Sequence, residues 1–489
     1  MNQREITMQG ILLELRPPRR CRLGLVAALV GVGSAVSAAQ TAKVVVRDAK
    51  ILTMAQGQTA PIVGYISVGT DGRILSVAAG EPPASLKAAS TIDAHGDYVT
   101  PGFISSHSHV WQAAWRGLAE DKTTPSWGRD LYNEHAVRAM PEDMYWFCLQ
   151  GSLDHLAHGI TSVFDFAMNR GAVSNMDSDY DKAQFKAKMD SGIRFEHAYT
   201  PTLTPRANNT NGSATPAPVD PLDLDQARAR LKAFLDWAAA QHSPQFLSVM
   251  LSGANAGGQP VGAAILMKEF HLGNEVHYLE APDNQIQQRA NFRSYMEGGL
   301  LGPTLFFGHF VHTDDFILQE TAKAGAGMSW QPLSNGRLAA GLADIPKYLE
   351  MGVRVGMGVD GEASADIADP FENMRMGLYA IRMKYADATV MSPYQVMWLH
   401  TMGSADVMGV KDKVGSLEPG KFADLVLINP ARLGPVLEDP YANIVFATGE
   451  RDIDSIFVGG DLIVEHGKFL HQDFNKVQAE SAKRVIAIN

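Results

Sequence analysis

The chain has 489 residues, of which 46% are hydrophobic and 19% charged, and its formal net charge is -11. This length and composition suit one large globular domain with a smaller one, and exclude a mainly disordered chain. An acidic protein without a lysine and arginine cluster in its main body is a poor candidate for binding nucleic acid or an anionic membrane. Two cysteines, Cys21 and Cys148, support neither a disulfide framework nor a cysteine zinc site.

The first 38 residues differ from the rest. A basic stretch, RPPRRCR, precedes the apolar run LGLVAALVGVGSAVS and a small-residue end. This pattern predicts a secretory signal peptide over residues 1–38, so we expect export to the periplasm or the medium. The apolar run is too short to span a bilayer as a helix. The alternative to a signal peptide is a buried N-terminal helix. Arg19 and Arg20 would also fit a twin-arginine signal, which suits export of a protein already folded around a metal.

Short β patterns occur at both ends of the remaining chain. Val, Ile and Thr alternate around Asp-Gly turns near the start, and a similar β segment returns near the end in GKFADLVLINP and DSIFVGGDLIVEHGKFL. We expect the two segments, residues 41–101 and 413–470, to pair as one small β-sandwich domain. Residues 471–489 would then form a C-terminal tail.

Between these segments, apolar runs alternate with helical stretches. The runs are FISSHSH (103–109), TSVFDF (161–166), RFEHAYT (194–200), FLSVMLSG (246–253), EVHYLE (275–280), TLFFGHF (304–310), GMSWQPL (327–333) and RVGMGVD (354–360). Eight strands alternating with helices predict an α/β fold, a (β/α)8 TIM barrel over residues 102–412. The polar stretch 202–221 is interpreted as a long loop at a strand end.

Ionisable side chains gather at the ends of these predicted strands. His107 and His109 are two residues apart on one strand, so both project to the same side and can face one ion. Alone, such a pair is more often chance than a metal site. Four further ionisable residues lie at or near the C-terminal ends of other predicted strands, namely His277, Glu280, His309 and Asp360. In a barrel, that end of the strands is the catalytic face. A buried Asp without a partner is costly, so a nearby cation explains the set economically.

At this point the chain resembles the amidohydrolase superfamily, in particular its branch of cytosine and guanine deaminases and triazine hydrolases. The motifs that carry the resemblance are VTPGFISSHSH, HGITSVFDF, VHYLEA, GHFVHTDDFILQETAKAGAGMSWQPLSNGRLAAG, GVRVGMGVDGEAS and VGSLEPGKFADLVLINP. The resemblance implies metal ligands at His107, His109, His277 and Asp360. It also implies that His309 and Glu280 handle protons.

The chemistry of these residue types agrees with those roles. Three imidazoles and one carboxylate leave a position for water on Zn(II), or on Fe(II) or Mn(II). Asp360 would act as general base, His309 would orient the nucleophile, and Glu280 would carry a proton to a ring nitrogen or leaving group. For Glu280 to face the site, its strand must end near Tyr278. One metal is expected, because FLSVMLSG lacks the lysine that binuclear members carboxylate.

Four residues are predicted to contact substrate. Gln112 follows the His-x-His pair where similar chains place a substrate amide contact, although a surface glutamine explains it equally well. Trp111 would either line the pocket or pack under the barrel rim. His197 lies toward the end of the third run and would line the pocket. Trp330 stands where many relatives carry a histidine, and its flat face would favour an aromatic or apolar substrate.

These residues predict a hydrolase that cleaves a carbon–nitrogen bond of a small cyclic compound, with deamination of an aminated heterocycle as the leading hypothesis. Cleavage of an amide, urea or carbamate, or dechlorination, is the alternative, and a non-catalytic binding barrel is a remote third. The stretch MRMGLYAIRMKY leaves room for a homo-oligomer interface, but core packing explains it equally well.

Overall fold

The computed structural model describes residues 41–169, 178–201, 224–252, 260–430 and 439–489. The predicted signal peptide at 1–38 and the predicted loop at 202–221 lie outside these residues. Thr41–Asn489 forms one compact unit. In the part of the chain that the structure describes, no helix has the length and apolar character needed to cross a bilayer.

The described strands are, in chain order, β1 (Thr41–Ile51), β2 (Ile62–Val68), β3 (Ile74–Ala79), β4 (Lys87–Asp93), β5 (Tyr98–Pro101), β6 (Phe103–His109), β7 (Ile160–Phe166), β8 (Arg194–Tyr199), β9 (Phe246–Ser252), β10 (Asn274–Tyr278), β11 (Leu305–His309), β12 (Gly327–Trp330), β13 (Arg354–Met357), β14 (Asp360–Gly361), β15 (Leu425–Ile428), β16 (Ile453–Val458), β17 (Asp461–Glu465) and β18 (Lys468–Phe469).

The described α-helices are α1 (Thr124–Arg129), α2 (Pro141–Ala157), α3 (Asp179–Ser191), α4 (Leu224–Ala240), α5 (Pro260–Phe270), α6 (Gln285–Glu297), α7 (Asp315–Lys323), α8 (Pro332–Arg337), α9 (Ile345–Glu350), α10 (Pro370–Tyr385), α11 (Pro393–Trp398), α12 (Ser404–Val407), α13 (Pro440–Ala447) and α14 (Phe474–Ile488). Single turns of 3-10 or π helix join several of them, including Val110–Trp115 directly after β6.

The two ends of the chain build one sheet, as the sequence predicted. Its strand order is β18-β17-β16-β15-β5-β1-β2-β3, and β4 pairs with β1. The antiparallel pairing of β15 with β5 places Val426 opposite Thr100 and joins the late segment to the early one. Strands of both segments share a hydrophobic cluster that includes Val46, Ile66 and Leu425. A β-rich domain therefore forms from segments distant in the sequence.

The second sheet is the predicted barrel, with strand order β13-β12-β11-β10-β9-β8-β7-β6-β14. Only Gly358 and Val359 separate β13 from β14, so these two pieces form the eighth strand. Since β14 pairs in parallel with β6, the sheet closes on itself. A side chain at Gly358 would lie 2.6 Å from the backbone oxygen of His107, which explains the glycine at this closure.

Both faces of the barrel strands are buried, as is usual for parallel sheets. Phe164 and Phe306 point into the barrel and form one cluster with Val407 of α12. Phe195 and Phe307 belong instead to the large cluster between the strands and the surrounding helices. The barrel is thus a packed core, and open space for chemistry lies at the carboxyl ends of its strands.

Helix α14 occupies the segment expected to be a tail. The Asp473 side chain accepts the Lys476 backbone N–H and caps the helix. Arg484 then forms ion pairs with Glu142 and Asp143 at the start of α2. The segment packs on the barrel because its residues form an amphipathic helix.

Helix α10 contains the methionine-rich stretch that left two interpretations open. Met374 and Leu378 are buried against the core, whereas Met376 is 38% and Met383 73% exposed. The stretch therefore serves core packing on one face and leaves apolar side chains at the surface on the other.

Candidate active site

His107 and His109 lie near the end of β6, where every residue is buried. Their side chains converge because residues i and i+2 of a strand share a face. Gly308 on β11 leaves room for the first of them, since a Cβ at that position would lie 2.7 Å from Cε1 of the His107 imidazole. The glycine in the run TLFFGHF is therefore part of the site.

The four predicted metal ligands come together at this end of the barrel. His109 Nε2 lies 3.0 Å from His277 Nε2, and Asp360 Oδ1 lies 3.5 Å from His107 Nε2 and 3.6 Å from His109 Nε2. Tetrahedral zinc with ligand bonds of about 2.0–2.1 Å separates neighbouring ligand atoms by roughly 3.3 Å. These three spacings are close to that separation. Two groups of possible ligand atoms each lie within 4.8 Å of one another, and both include His107: one has His109 and His277, the other His309 and Asp360. The arrangement is therefore compatible with a divalent ion at this end of the barrel.

Glu275 orients the first of these histidines. Its Oε1 lies 2.5 Å from His107 Nδ1, which leaves His107 Nε2 buried and without a hydrogen-bond partner among the described residues. A histidine that ligates a metal commonly donates its other ring N–H to a carboxylate in this way. Glu275 was not predicted from the sequence, although its position two residues before His277 on β10 places both on one face.

The electrostatic environment keeps His109, His277 and Asp360 in the protonation states that bind a metal. Burial lowers the pKa of His109 to about 4, so this imidazole is neutral at pH 7. Burial and the neighbouring imidazoles lower the pKa of His277 as well. Burial alone would raise the pKa of Asp360, but hydrogen bonding and the charge of His107 outweigh it and hold that pKa well below the usual range. Burial alone would lower the pKa of His107, but the neighbouring carboxylates of Glu275 and Asp360 raise it to about 10, so metal binding would displace a proton from this imidazole. The neutral imidazoles of His109 and His277 and the ionised carboxylate of Asp360 suit a divalent cation.

His309 and Glu280 stand beside this set. His309 Nε2 lies 3.8 Å from Glu280 Oε2 and 3.9 Å from Asp360 Oδ2. The strand before Glu280 ends at Tyr278, as predicted, and Leu279 adopts a positive φ of 54° that turns the chain. Burial lowers the pKa of His309 to about 3, so its imidazole is neutral.

Glu280 has the environment of a proton donor. Burial, followed by repulsion from Asp360, raises the pKa of Glu280 to about 8. The Thr124 hydroxyl, at the start of α1, donates to Glu280 Oε1 over 3.3 Å. A carboxylic acid that stays protonated at pH 7 can deliver a proton to a bound substrate. Nothing in the sequence indicated Thr124.

Gln112 lies next to the site, in the turn after β6. Its side chain is fully buried, and its Nε2 donates to the Tyr132 hydroxyl over 3.3 Å. Its Oε1 has no partner among the described residues, and a Cβ at Gly361, directly after Asp360, would collide with it at 1.9 Å. A buried carbonyl oxygen without a donor can accept a hydrogen bond from a substrate N–H.

Trp111 does not wall the pocket. Its indole N–H donates to the backbone oxygen of Phe166, and its ring packs edge-on against Trp115. Only 1% of the residue is exposed. The alternative role, packing under the barrel rim, is the one that the structure supports.

The structure does not bring His197 to the site. The residue is fully buried and faces α3, where Lys188 Nζ donates to its Nδ1 and its Nε2 donates to Asp181 Oδ1, each over 3.1 Å. Its strand neighbours take the inner face, where Ala198 joins the barrel cluster. The prediction that His197 contacts substrate was therefore wrong. Alternate residues of β8 face opposite sides of the sheet, and His197 lies on the side that faces α3.

Trp330 likewise faces outward, which corrects the inference drawn from it about an aromatic substrate. It is fully buried in the layer between strands and helices, and a Cβ at Gly377 of α10 would lie 2.6 Å from the indole ring. Its neighbours face inward: Ser329 Oγ bonds to Ser106 Oγ, and Gln331 Oε1 accepts the His309 backbone N–H. Trp330 packs the helical layer and carries no information about the substrate.

A closed (β/α)8 barrel with three converging imidazoles, a carboxylate and a protonated glutamate defines the class of metal-dependent hydrolases. Within that class, the chain belongs to the amidohydrolase family, whose sequence profile matches residues 98–463. The chain is thus a hydrolase of carbon–nitrogen bonds other than peptide bonds, and its substrate is a small molecule.

Several known proteins are similar along nearly their whole length. The 5-methylthioadenosine/S-adenosylhomocysteine deaminase of Pelotomaculum thermopropionicum is 27% identical over 458 residues, which cover 91% of this chain and 99% of the relative. An adenosine deaminase from Xanthomonas campestris, solved with bound zinc, has a TM-score of 0.77 at 19% identity and covers 92% of this chain and 99% of its own. The atrazine chlorohydrolase of Arthrobacter aurescens TC1, complexed with zinc, has a TM-score of 0.75 at 22% identity, with coverages of 90% and 100%.

Proposed function

We propose that the protein is a zinc-dependent deaminase that hydrolyses the exocyclic amino group of an aminated N-heterocycle, with adenine nucleosides as the first class to test. The observation that carries the proposal is the position of Glu280, a largely buried carboxyl group that lies 3.8 Å from His309 Nε2 beside the predicted ligands. Burial raises its pKa to about 8, so it is protonated at pH 7. Deamination requires protonation of a ring nitrogen, which a group of this kind provides. The deaminase relative supports the choice of ring.

The residues have distinct roles in the proposed reaction. His107, His109, His277 and Asp360 would hold a divalent ion, which would supply Lewis-acid chemistry and would lower the pKa of water from 15.7 toward about 7. Asp360 accepts the proton that water loses as its oxygen attacks the amino-bearing carbon. Glu280 gives its proton to the adjacent ring nitrogen, and His309 faces the developing charge on oxygen with a neutral imidazole.

The second half of the reaction returns the residues to their initial state. The proton held by Asp360 passes to the exocyclic nitrogen, the carbon–nitrogen bond breaks and ammonia leaves. The ring nitrogen keeps the proton received from Glu280, and the proton on the attacking oxygen passes to the Glu280 carboxylate as the product becomes a carbonyl tautomer. Water plus amine thus gives ammonia plus carbonyl, with no other reactant required.

Displacement of a ring chlorine is a second candidate. The reason to include it is that an atrazine chlorohydrolase has the same fold. The same water and the same acid would serve that reaction, but the product would be chloride. Amide, urea or carbamate cleavage remains the alternative in which Glu280 protonates a leaving amine.

Ammonia release tests the proposal. The protein is freed of metal, reloaded with Zn(II), Fe(II) or Mn(II), and assayed against adenine nucleosides, aminated pyrimidines, pterins and amino- and chlorotriazines. We expect equimolar ammonia and carbonyl product, best with Zn(II). Asp360→Asn should abolish release, whereas Asp236→Asn, the same change at an exposed position on α4, should not. Chloride or an alcohol or acid product without free ammonia would overturn deamination.

We also propose that the chain is exported, on the basis of the signal-like sequence in its first 38 residues. Cell fractionation followed by N-terminal sequencing tests this proposal. A mature N-terminus near residue 39 in an exported fraction is the expected result. Full-length protein confined to the cytoplasm would contradict it.

A further inference from the structure

His309 and Asp360 share an unusual backbone conformation. His309 has φ 66° and Asp360 has φ 63°, both in the left-handed region that residues other than glycine rarely adopt. Such residues keep that conformation only where the surrounding structure holds them. Both lie at strand ends, so loop residues must provide those restraints.

The short helix α8 and the residue before it provide these contacts. Gln331 Oε1 accepts the backbone N–H of His309 over 2.8 Å, and Gln331 Nε2 donates to Ser329 Oγ over 2.7 Å. The next two contacts come from consecutive residues of α8. Ser334 reaches Asp360, and Asn335 reaches the His309 imidazole.

The Ser334 contact distinguishes the two oxygens of Asp360. The Ser334 hydroxyl donates to Asp360 Oδ2 over 2.5 Å. Oδ1 is left facing the imidazole nitrogens of His107 and His109 at 3.5 and 3.6 Å. Oδ1 also accepts the Gly361 backbone N–H over 2.8 Å. The serine and this N–H together fix the rotation of the carboxylate, so that Oδ1 faces the other predicted metal ligands.

The Asn335 contact determines the tautomer of His309. The Asn335 amide nitrogen donates to His309 Nδ1 over 2.9 Å, so Nδ1 must carry a lone pair. A neutral imidazole has one N–H, which then sits on Nε2. Nε2 is the atom that faces Glu280 and Asp360 at 3.8 and 3.9 Å. His309 thus presents a hydrogen-bond donor to the reaction centre.

We propose that Ser334 and Asn335 are positioning residues: Asn335 imposes the Nε2–H tautomer on His309, and Ser334 aims Asp360 Oδ1 at the metal. The proposal rests on the proposed function only for its kinetic consequence. The tautomer and the metal affinity are properties of the protein without substrate, so they can be measured even if the substrate class is wrong.

The tautomer is tested by 15N NMR of zinc-loaded, histidine-labelled full-length protein, with the His309 signals assigned by their loss in His309→Gln. In the wild type we expect an unprotonated Nδ1. Asn335→Asp replaces the donor by an acceptor of nearly equal shape, so Nδ1 should become protonated and kcat should fall at least tenfold with little change in KM. Asn335→Ala should give a mixture of tautomers.

A control is available at another asparagine, away from the site. Asn443 Nδ2, on α13, donates to the Tyr98 hydroxyl over 3.2 Å. Asn443→Asp should leave the His309 signals unchanged. A protonated Nδ1 in the wild type, or an unchanged Nδ1 signal in both Asn335→Asp and Asn335→Ala, would overturn the proposal.

Metal affinity tests the serine. Zn(II) is titrated against a competing chromophoric chelator. Ser334→Ala should weaken binding about 10–100-fold, the usual effect of removing a partner of a metal ligand, and Ser334→Thr, which keeps the hydroxyl, should restore it. Ser364→Ala, which removes a hydroxyl bound to the Gly361 carbonyl, is the control and should bind zinc as the wild type does. Equal affinities for the Ser334→Ala variant and the wild type would contradict the proposed role.

Discussion

Replacement of Glu280 by Gln removes the proton donor with little change in shape. In the structure, Glu280 contacts His309 and the Thr124 hydroxyl, and its side chain is 15% exposed. Glutamine can still accept the hydrogen bond from Thr124, so the fold and the metal ligands should be unaffected. The variant therefore reports on the acid alone.

The size of the effect follows from the role and the environment of this residue. General acid catalysis contributes about 10²–10⁴-fold, so kcat for a poorly basic ring should fall by that factor. With a pKa of about 8, roughly nine-tenths of the Glu280 side chains are protonated at pH 7 and roughly one-tenth at pH 9. Because the protonated form is the active one, wild-type kcat should fall about tenfold between these pH values.

The assay is ammonia release at saturating substrate from pH 6 to 10, with metal content measured in each sample. Wild-type enzyme should lose activity above pH 8, and Glu280→Gln should show a low rate without that loss. Glu269→Gln, the same change at an exposed position on α5, should follow the wild-type profile. A zinc-loaded Glu280→Gln variant with wild-type kcat would refute the assignment of Glu280 as the acid.

Three further perturbations test other parts of the account. Removal of metal with a chelator should abolish activity and lower Tm. The fall in Tm is expected because an ion at 100 times its Kd adds about 2.7 kcal/mol to the free energy of unfolding. Unchanged Tm and activity would exclude a metal-dependent site. Gly308→Ala should reduce zinc affinity at least tenfold, since its Cβ would collide with the His107 imidazole, whereas Gly302→Ala, with open space around it, should not. Gly377→Ala should cost about 1–3 kcal/mol of stability through its clash with Trp330 and leave KM unchanged; a change in KM alone would place Trp330 in the pocket.

The order of the elements and the convergence of His107, His109, His277 and Asp360 were predictable from the sequence. The strands follow from local pattern, whereas the assignment of these four residues as metal ligands came from the family resemblance and stays a prediction. The eight apolar runs correspond to the barrel strands, and β6 matches its predicted bounds. His107 and His109 follow from strand alternation, while His277 and Asp360 follow from the ends of their runs. The turn that brings Glu280 to the site was also predictable, from its spacing of three residues after His277.

The direction of individual side chains was harder to predict. Parallel barrel strands are buried on both faces, so apolar content does not show which residues point inward. His197 was assigned to the wrong face for this reason. Trp330 was assigned to the pocket because it stands where many relatives carry a histidine, and the resemblance did not show that the indole packs against α10. Ser334 and Asn335 lay within a motif that the sequence analysis quoted, but their roles depend on contacts with strands distant in the sequence, which only the fold reveals.

The central claim is that one divalent ion is held by His107, His109, His277 and Asp360. Zinc-edge X-ray absorption of the zinc-loaded protein tests it most directly. The account predicts one zinc per chain, with three imidazole nitrogens and carboxylate oxygen at about 2.0–2.2 Å. Fewer than three imidazoles, or a second metal at about 3.5–4 Å as in two-metal sites, would contradict it.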